Sequence, residues 1–362
     1  MQSTEPTQEN KADSQQEEDN FVVVEKPALT ARVVLPGANG DADSDEEAEE
    51  EEADQGEDGD FLEDFPDNTE ELELIHSRIG SLKNLRLPRF GPYLKKLCLR
   101  QNLISDLDPE SMSALTELEE LDLYDNKIKV VGNGLDTMKK LAVLDFSFNL
   151  LKSVPEALKN LPSLRTIYFV QNKISKINGL GSLTNLTSLE LGGNRIRRIE
   201  NLDDLVNLEE LWLGKNKIAK LENLSSLKKL RILSLQSNRI TKLEGLESLE
   251  NLEELYLSHN GVQRLEGLEN NLKLKTLDVG NNFIPEIENV SHLSSLEELW
   301  MNGNKIPNLL ALDTELKSIK TLQTIYLEAN PCQTEDMAGY RRKIILALPQ
   351  LQQIDATYVK AA

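Results

Sequence analysis

One pattern, approximately L-x-x-L-x-L-x-x-N-x-I, returns eleven times along this chain, and few folds can accommodate such repetition. Its asparagines mark the copies: Asn102, Asn126, Asn149, Asn172, Asn194, Asn216, Asn238, Asn260, Asn282, Asn304 and Asn330. The steps between them are 24, 23, 23, 22, 22, 22, 22, 22, 22 and 26 residues. A unit of this size cannot bury its own leucines, so the copies must stack and share a core.

Each copy reads as a short strand, a turn and a return segment. In Leu208-Glu209-Glu210-Leu211-Trp212-Leu213, Leu211 and Leu213 alternate with Glu210 and Trp212, the period of a strand with one buried face. Asn216 stands where the chain turns, and stacked asparagine amides are expected to form a ladder that satisfies turn peptide groups. Ile218, Leu221 and Leu224 return leucine-type side chains to the same core. Stacking predicts an α/β solenoid of about 11–12 repeats with a concave parallel β-sheet. Leu72, Leu74 and Ile79 read as a degenerate first half-repeat in which Ser77 replaces the asparagine. At the other end, Ile344, Ile345 and Leu348 share one face of a short helix that would close the last layer. The expected organisation is an acidic tail over 1–68, a solenoid over 69–335 and a C-terminal cap over 336–362.

The formal net charge of −22 is not spread evenly. Residues 1–70 hold 24 Asp and Glu against 3 Lys and Arg, whereas residues 71–362 hold 38 against 37. Residues 41–60 alone carry 13 carboxylates, a run that repels itself and is expected to be disordered. Phe21-Val22-Val23-Val24 and Val33-Val34-Leu35 are short apolar islands within the tail, candidate weak docking segments. Ser44, followed by Asp45-Glu46-Glu47, is a candidate site for acid-directed phosphorylation. No signal peptide and no membrane span are expected. With only two cysteines, Cys98 facing outward and Cys332 inward, no disulfide is expected and a reducing, intracellular compartment is.

Catalytic chemistry finds little support. His76, His259 and His292 lie in separate repeats without metal-ligand spacing, so no metal, cofactor or enzymatic activity is expected. Leu191-Gly192-Gly193-Asn194 belongs to the repeat turn and is not a phosphate loop. Basic residues follow the asparagines at Lys127, Lys173, Arg195, Lys217, Arg239 and Lys305, without the interleaved aromatics of a nucleic-acid surface. This line, with glutamates nearby expected to balance it, reads as a solvated edge, and contact with an acidic partner is the other reading.

The side chain between the two strand leucines must face outward on the concave side. Through the repeats it is Cys98, Asp122, Asp145, Tyr168, Glu190, Trp212, Ser234, Tyr256, Asp278, Trp300 and Tyr326. Both tryptophans of the chain are in this row. A solvent-facing row of large rings is unfavourable unless a partner covers it, and rings flanked by carboxylates are what interface hot spots are made of. Glu120, Glu210, Glu254 and Glu298 add charge beside them. The expected partner surface is apolar with basic residues.

The 22-residue pattern L-x-x-L-x-L-x-x-N-x-I-x-x-I-E-N-L is that of the short intracellular leucine-rich-repeat class. Leu97-Cys98-Leu99-Arg100-Gln101-Asn102, Leu121-Asp122-Leu123-Tyr124-Asp125-Asn126, Leu211-Trp212-Leu213-Gly214-Lys215-Asn216 and Leu255-Tyr256-Leu257-Ser258-His259-Asn260 extend the likeness. So do Trp300-Met301-Asn302 and the cap from Tyr340-Arg341-Arg342-Lys343 to Ile354-Asp355-Ala356-Thr357. Over about residues 70–360 the chain resembles the regulatory subunit 7 family of protein phosphatase 1. The resemblance implies a non-catalytic subunit that holds the phosphatase catalytic subunit on its concave face. Arg32-Val33-Val34-Leu35 lacks the aromatic that ends the usual short docking motif, as it does in that family. The family's contact positions carry over to Asp145, Tyr168, Glu190, Trp212, Asp278, Glu298, Trp300 and Tyr326, and Tyr256 joins them from the outward row. The resemblance further implies a nuclear and cytoplasmic protein with a mitotic role, and a further small inhibitor subunit as a second partner. An acidic-tail histone chaperone built on the same repeats is the alternative. An activator of a small GTPase is weaker, because that class uses longer repeats.

Overall fold

The computed structural model describes residues 62–359, and its core is one continuous stack of leucines and isoleucines. Each repeat contributes a strand of three residues. In chain order they are β1 (Glu71–Glu73), β2 (Lys96–Cys98), β3 (Glu120–Asp122), β4 (Val143–Asp145), β5 (Thr166–Tyr168) and β6 (Ser188–Glu190). There follow β7 (Glu210–Trp212), β8 (Ile232–Ser234), β9 (Glu254–Tyr256), β10 (Thr276–Asp278), β11 (Glu298–Trp300) and β12 (Thr324–Tyr326). Each pairs in parallel with the next, in the register that sets outward residue beside outward residue, such as Glu190 opposite Trp212. The strand order follows the chain because each return segment delivers the chain one layer along.

The asparagine ladder holds the turns. Asn216 donates through Nδ2 to Leu191 O (2.9 Å), Leu213 O (3.0 Å) and Gly214 O (3.2 Å), and its Oδ1 accepts the Ile196 N–H (3.0 Å). The same linkage to the preceding turn starts at Asn102, which accepts from the Ser77 and Ile79 N–H groups, and ends at Asn330. The ladder forces a backbone feature that the sequence does not advertise. The residue before each marker has a positive φ, including Gln101 (55°), Phe148 (55°), Lys215 (53°) and Ala329 (57°). Such φ values are costly for residues with a Cβ and persist where surrounding bonds over-determine them. On the return side, Asn201, Asn223 and Asn289 also adopt positive φ and donate to Ile177 O, Ile199 O and Leu265 O.

Most return segments are turns rather than helices. In three of the four repeats that exceed 22 residues, a helical turn forms on that side, whereas the step from Asn126 to Asn149 takes its extra residue in turns. One such turn is α1 (Pro109–Met112), capped by Asp108, and another is the 3-10 turn Glu156–Asn160. The longest step, 26 residues, contains a π turn over Leu312–Leu316.

Both ends are closed. Leu62 and Phe90 are fully buried, and Arg89 donates to Leu62 O and to Phe65 O (3.2 Å) while its guanidinium lies over the Phe90 ring. Among the described residues, packing against the core thus extends to Leu62, ahead of residue 69. The remainder of the expected disordered tail, with Ser44 and the apolar islands, lies outside the described residues. At the C-terminal end, α2 (Pro331–Thr334) carries buried Cys332, and α3 (Met337–Ala347) covers the last layer with Tyr340 and Ile344. Ile345, placed on that buried face by the helical spacing, is only partly buried, and Tyr340 takes the larger share. A hairpin of β13 (Gln353–Ile354) and β14 (Thr357–Tyr358) ends the sheet. Asp355 fastens it, accepting the Leu327 and Glu328 N–H groups and the Tyr340 hydroxyl. Cys98 and Cys332 are both free.

Candidate functional site: the concave face

The outward row stands on the concave sheet, but much of it is not open to solvent as a simple in–out alternation implies. Ser234, Tyr256 and Asp278 are buried, at 3%, 8% and 5% exposure. The cause is size. Parallel strands stand about 4.8 Å apart, and an indole or phenol is wider than that. The rings lean over their smaller neighbours and meet one another. Trp212 and Tyr256 stack at 6.3 Å between centroids, across β8. Tyr256 and Trp300 meet edge to face at 6.4 Å across β10, and Trp300 meets Tyr326 at 5.7 Å. The result is a continuous aromatic ridge from β7 to β12, with Ser234 and Asp278 beneath it.

Polar groups pin the ridge in place. The Tyr256 hydroxyl donates to Glu254 (2.6 Å), and the Tyr326 hydroxyl accepts from Gln353 Nε2 (2.7 Å) in the cap. The Trp300 Nε1–H is buried and meets no acceptor, so that indole packs as an apolar body. Trp212, Trp300 and Tyr326 remain half-buried, and Glu298 stands beside Trp300's own strand end. An apolar surface prearranged in this way loses little side-chain freedom when covered.

The N-terminal half of the same face is acidic. Asp145, Tyr168 and Glu190 are cross-strand neighbours on β4, β5 and β6. Desolvation pushes the Glu190 carboxyl up to about 7, with Asp145 and Glu210 adding repulsion. Burial likewise raises Asp145 to about 6, against opposing hydrogen bonds from Ser147. The Tyr168 hydroxyl is raised by burial and then by these carboxylates. The local cation is Arg100, whose Nε lies 3.3 Å from Asp122 and whose guanidinium covers the Tyr124 ring. Two carboxylates held near their ionisation points, with little counter-charge, suit a basic side chain brought by a partner.

The outward aspartates have a second task that the repeat pattern hides. Asp122, Asp145 and Asp278 each accept, through Oδ1, the N–H two residues on, at Tyr124, Ser147 and Gly280. Sequence spacing gives no sign of this beyond the residue type, since Asp is prone to such local bonds. The histidines stay apart. His259 Nε2 meets Asn281 Nδ2 at 3.3 Å, and His292 Nε2 meets Leu268 O at 3.0 Å.

Three descriptions of leucine-rich repeats match the chain, over residues 92–151, 159–248 and 228–270. The fold is shared with an internalin from Listeria monocytogenes, with a TM-score of 0.62 at 22% identity over 80% of this chain and 87% of that one. A leucine-rich-repeat protein of Leptospira interrogans gives a TM-score of 0.61 at 26% identity, covering 74% of each chain. Among curated relatives, a protein phosphatase 1 regulatory subunit of Saccharomyces cerevisiae is 47% identical over 107 residues, 30% of each chain. A regulatory inhibitor subunit homologue of that phosphatase from Arabidopsis thaliana is 43% identical over 140 residues, 38% of this chain and 42% of that one. Regulatory subunit 7 of the same phosphatase from Mus musculus is 56% identical over 46 residues, 13% of this chain and 12% of that one. The matched segments thus span less than half of each of these relatives. The chain is a leucine-rich-repeat protein, homologous to the regulatory subunits of protein phosphatase 1.

Proposed function

We propose that this chain is a non-catalytic regulatory subunit that binds the catalytic subunit of Ser/Thr protein phosphatase 1 through its concave face. The relatives' names support the partner. The observation that supports the face is the aromatic ridge of Trp212, Tyr256, Trp300 and Tyr326, beside the carboxylates Asp145 and Glu190. In this reading the ridge takes an apolar patch of the phosphatase, while Asp145, Glu190 and Glu298 take its basic side chains. Buried Tyr256 joins Trp212 to Trp300 within the ridge, and Asp278 lies beneath it. Grip at this face controls the enzyme's maturation, location or activity, and a further small inhibitor subunit joins the complex. Nuclear and cytoplasmic residence and a mitotic role belong to the same proposal. Capture from cell extract by the tagged full chain, read by mass spectrometry, tests the partner. The phosphatase catalytic subunit is the expected catch. Histones in its place would favour a chaperone and sink the phosphatase reading.

A further inference from the structure

Two rows of cations run along the solenoid beyond the asparagine ladder, and they differ in one respect. The row four residues past each marker is neutralised. Arg198, Lys220, Lys242 and Arg264 pair with Glu222, Glu244, Glu266 and Glu288, each one repeat further on. The row nearer the concave face is not. Lys173, Arg195, Lys217 and Arg239 directly follow their markers, with Lys215 and Arg197 beside them. Among the described residues, none of these six has a carboxylate at ion-pair distance.

Backbone bonds set the row's register. The Arg195 N–H donates to Ile174 O, Lys217 to Ile196 O and Arg239 to Ile218 O, each at 2.8 Å. Successive cations therefore stack about one strand spacing apart, roughly 5 Å. All but half-buried Lys217 are exposed. Like charges at this spacing repel, so the row does not serve the stability of the fold, and the neighbouring row shows that the repeat can neutralise such charges. We propose that this ridge, on repeats bearing β5 to β8, is a docking site for an extended, carboxylate-rich segment of a partner protein.

The occupant follows from charge and from what the ridge lacks. A linear array of cations at strand spacing complements an extended acidic polypeptide, whose charges can follow the row. A single-stranded nucleic acid would need aromatic faces for its bases. Residues interleaved on the ridge are Ser175, Ala219, Ser237 and Thr241, with no aromatic among them. The site does not depend on which protein occupies the concave face.

Fluorescence anisotropy of a labelled oligoglutamate peptide against the full chain tests the proposal, with a labelled single-stranded oligonucleotide in parallel. The variant Arg195→Gln/Lys217→Gln/Arg239→Gln removes three ridge charges. Arg198→Gln/Lys220→Gln/Lys242→Gln removes three charges from the paired row, giving an equal change in net charge. The ridge variant should weaken peptide binding about tenfold or more, and the control less than about threefold, with both effects fading as salt rises. Equal losses in both variants, or no peptide binding by the parent at low salt, would overturn the site. Tighter binding of the oligonucleotide than of the peptide would overturn the assignment of its occupant. Circular dichroism of both variants checks that each remains folded.

Discussion

Glu190 is a carboxylate placed where ionisation is costly. Its carboxyl is pushed up to about 7 from 4.5, mainly by desolvation. The folded chain therefore keeps its proton over a range in which the unfolded chain has released it. Below the unfolded value the group costs nothing, and its penalty grows as pH rises from about 4.5 to 7. Replacing Glu190 with Gln should then stabilise the solenoid by roughly 1–3 kcal/mol at about pH 8. Most of that gain should vanish by about pH 4.5. Urea melts at the two pH values measure it, and a gain independent of pH would contradict the assigned cause. Asn271 poses a different problem. It is fully buried where neighbouring repeats place Leu249 and Leu293, and its Oδ1 has no partner. The adjacent Leu272 is 52% exposed, so polar and apolar residues are exchanged relative to the repeat. Asn271 Nδ2 does donate to Leu246 O and Leu249 O, which offsets part of the cost. Asn271→Leu should stabilise the chain by about 1 kcal/mol, seen as a higher urea midpoint, because an orphaned buried acceptor costs more than a typical bond returns. A lower midpoint would mean that the two donated bonds outweigh the orphan.

At the scale of the repeat, each turn depends on the asparagine of the next. Asn216→Ala would strip Leu191 O, Leu213 O and Gly214 O of a donor and leave the buried Ile196 N–H without an acceptor. The expected cost is about 2–4 kcal/mol, above the usual single substitution, because several buried groups lose partners together. Hydrogen exchange should locate it, with protection lost first at Ile196 and Lys217 rather than evenly along the chain. An even loss would indicate that the ladder is not the local clamp. The strands, turns and core of this unit are legible from leucine spacing alone, because period and burial are directly coupled. The left-handed residues before each marker are not. Lys215, Phe148 and Ala329 are poor local indicators of positive φ, and only the ladder bonds of the neighbouring turn hold them there. Local sequence describes what a residue prefers, whereas here a neighbour 20 or more residues away decides.

At the scale of the whole molecule, repetition fixes the architecture, and departures from repetition fix the site. The outward row is readable residue by residue from strand alternation. Its packing is not, because three-residue strands give no hint that rings two strands apart will touch over Ser234 and Asp278. The aromatic ridge is thus a property of the stack. It also couples Trp212 and Trp300 through Tyr256, so their contributions to binding should not simply add. The N-terminal closure at Leu62 and the role of Asp355 in the cap were equally hidden, since both rest on contacts outside the repeat. We propose that this face binds the phosphatase. The most direct test is calorimetric titration of purified protein phosphatase 1 catalytic subunit with the full chain, with Trp300→Ala and with Leu272→Glu on the return side. Trp300→Ala should weaken binding by about 2 kcal/mol or more, while Leu272→Glu should leave affinity unchanged. Equal affinity for all three, or no binding by the parent chain, would contradict it.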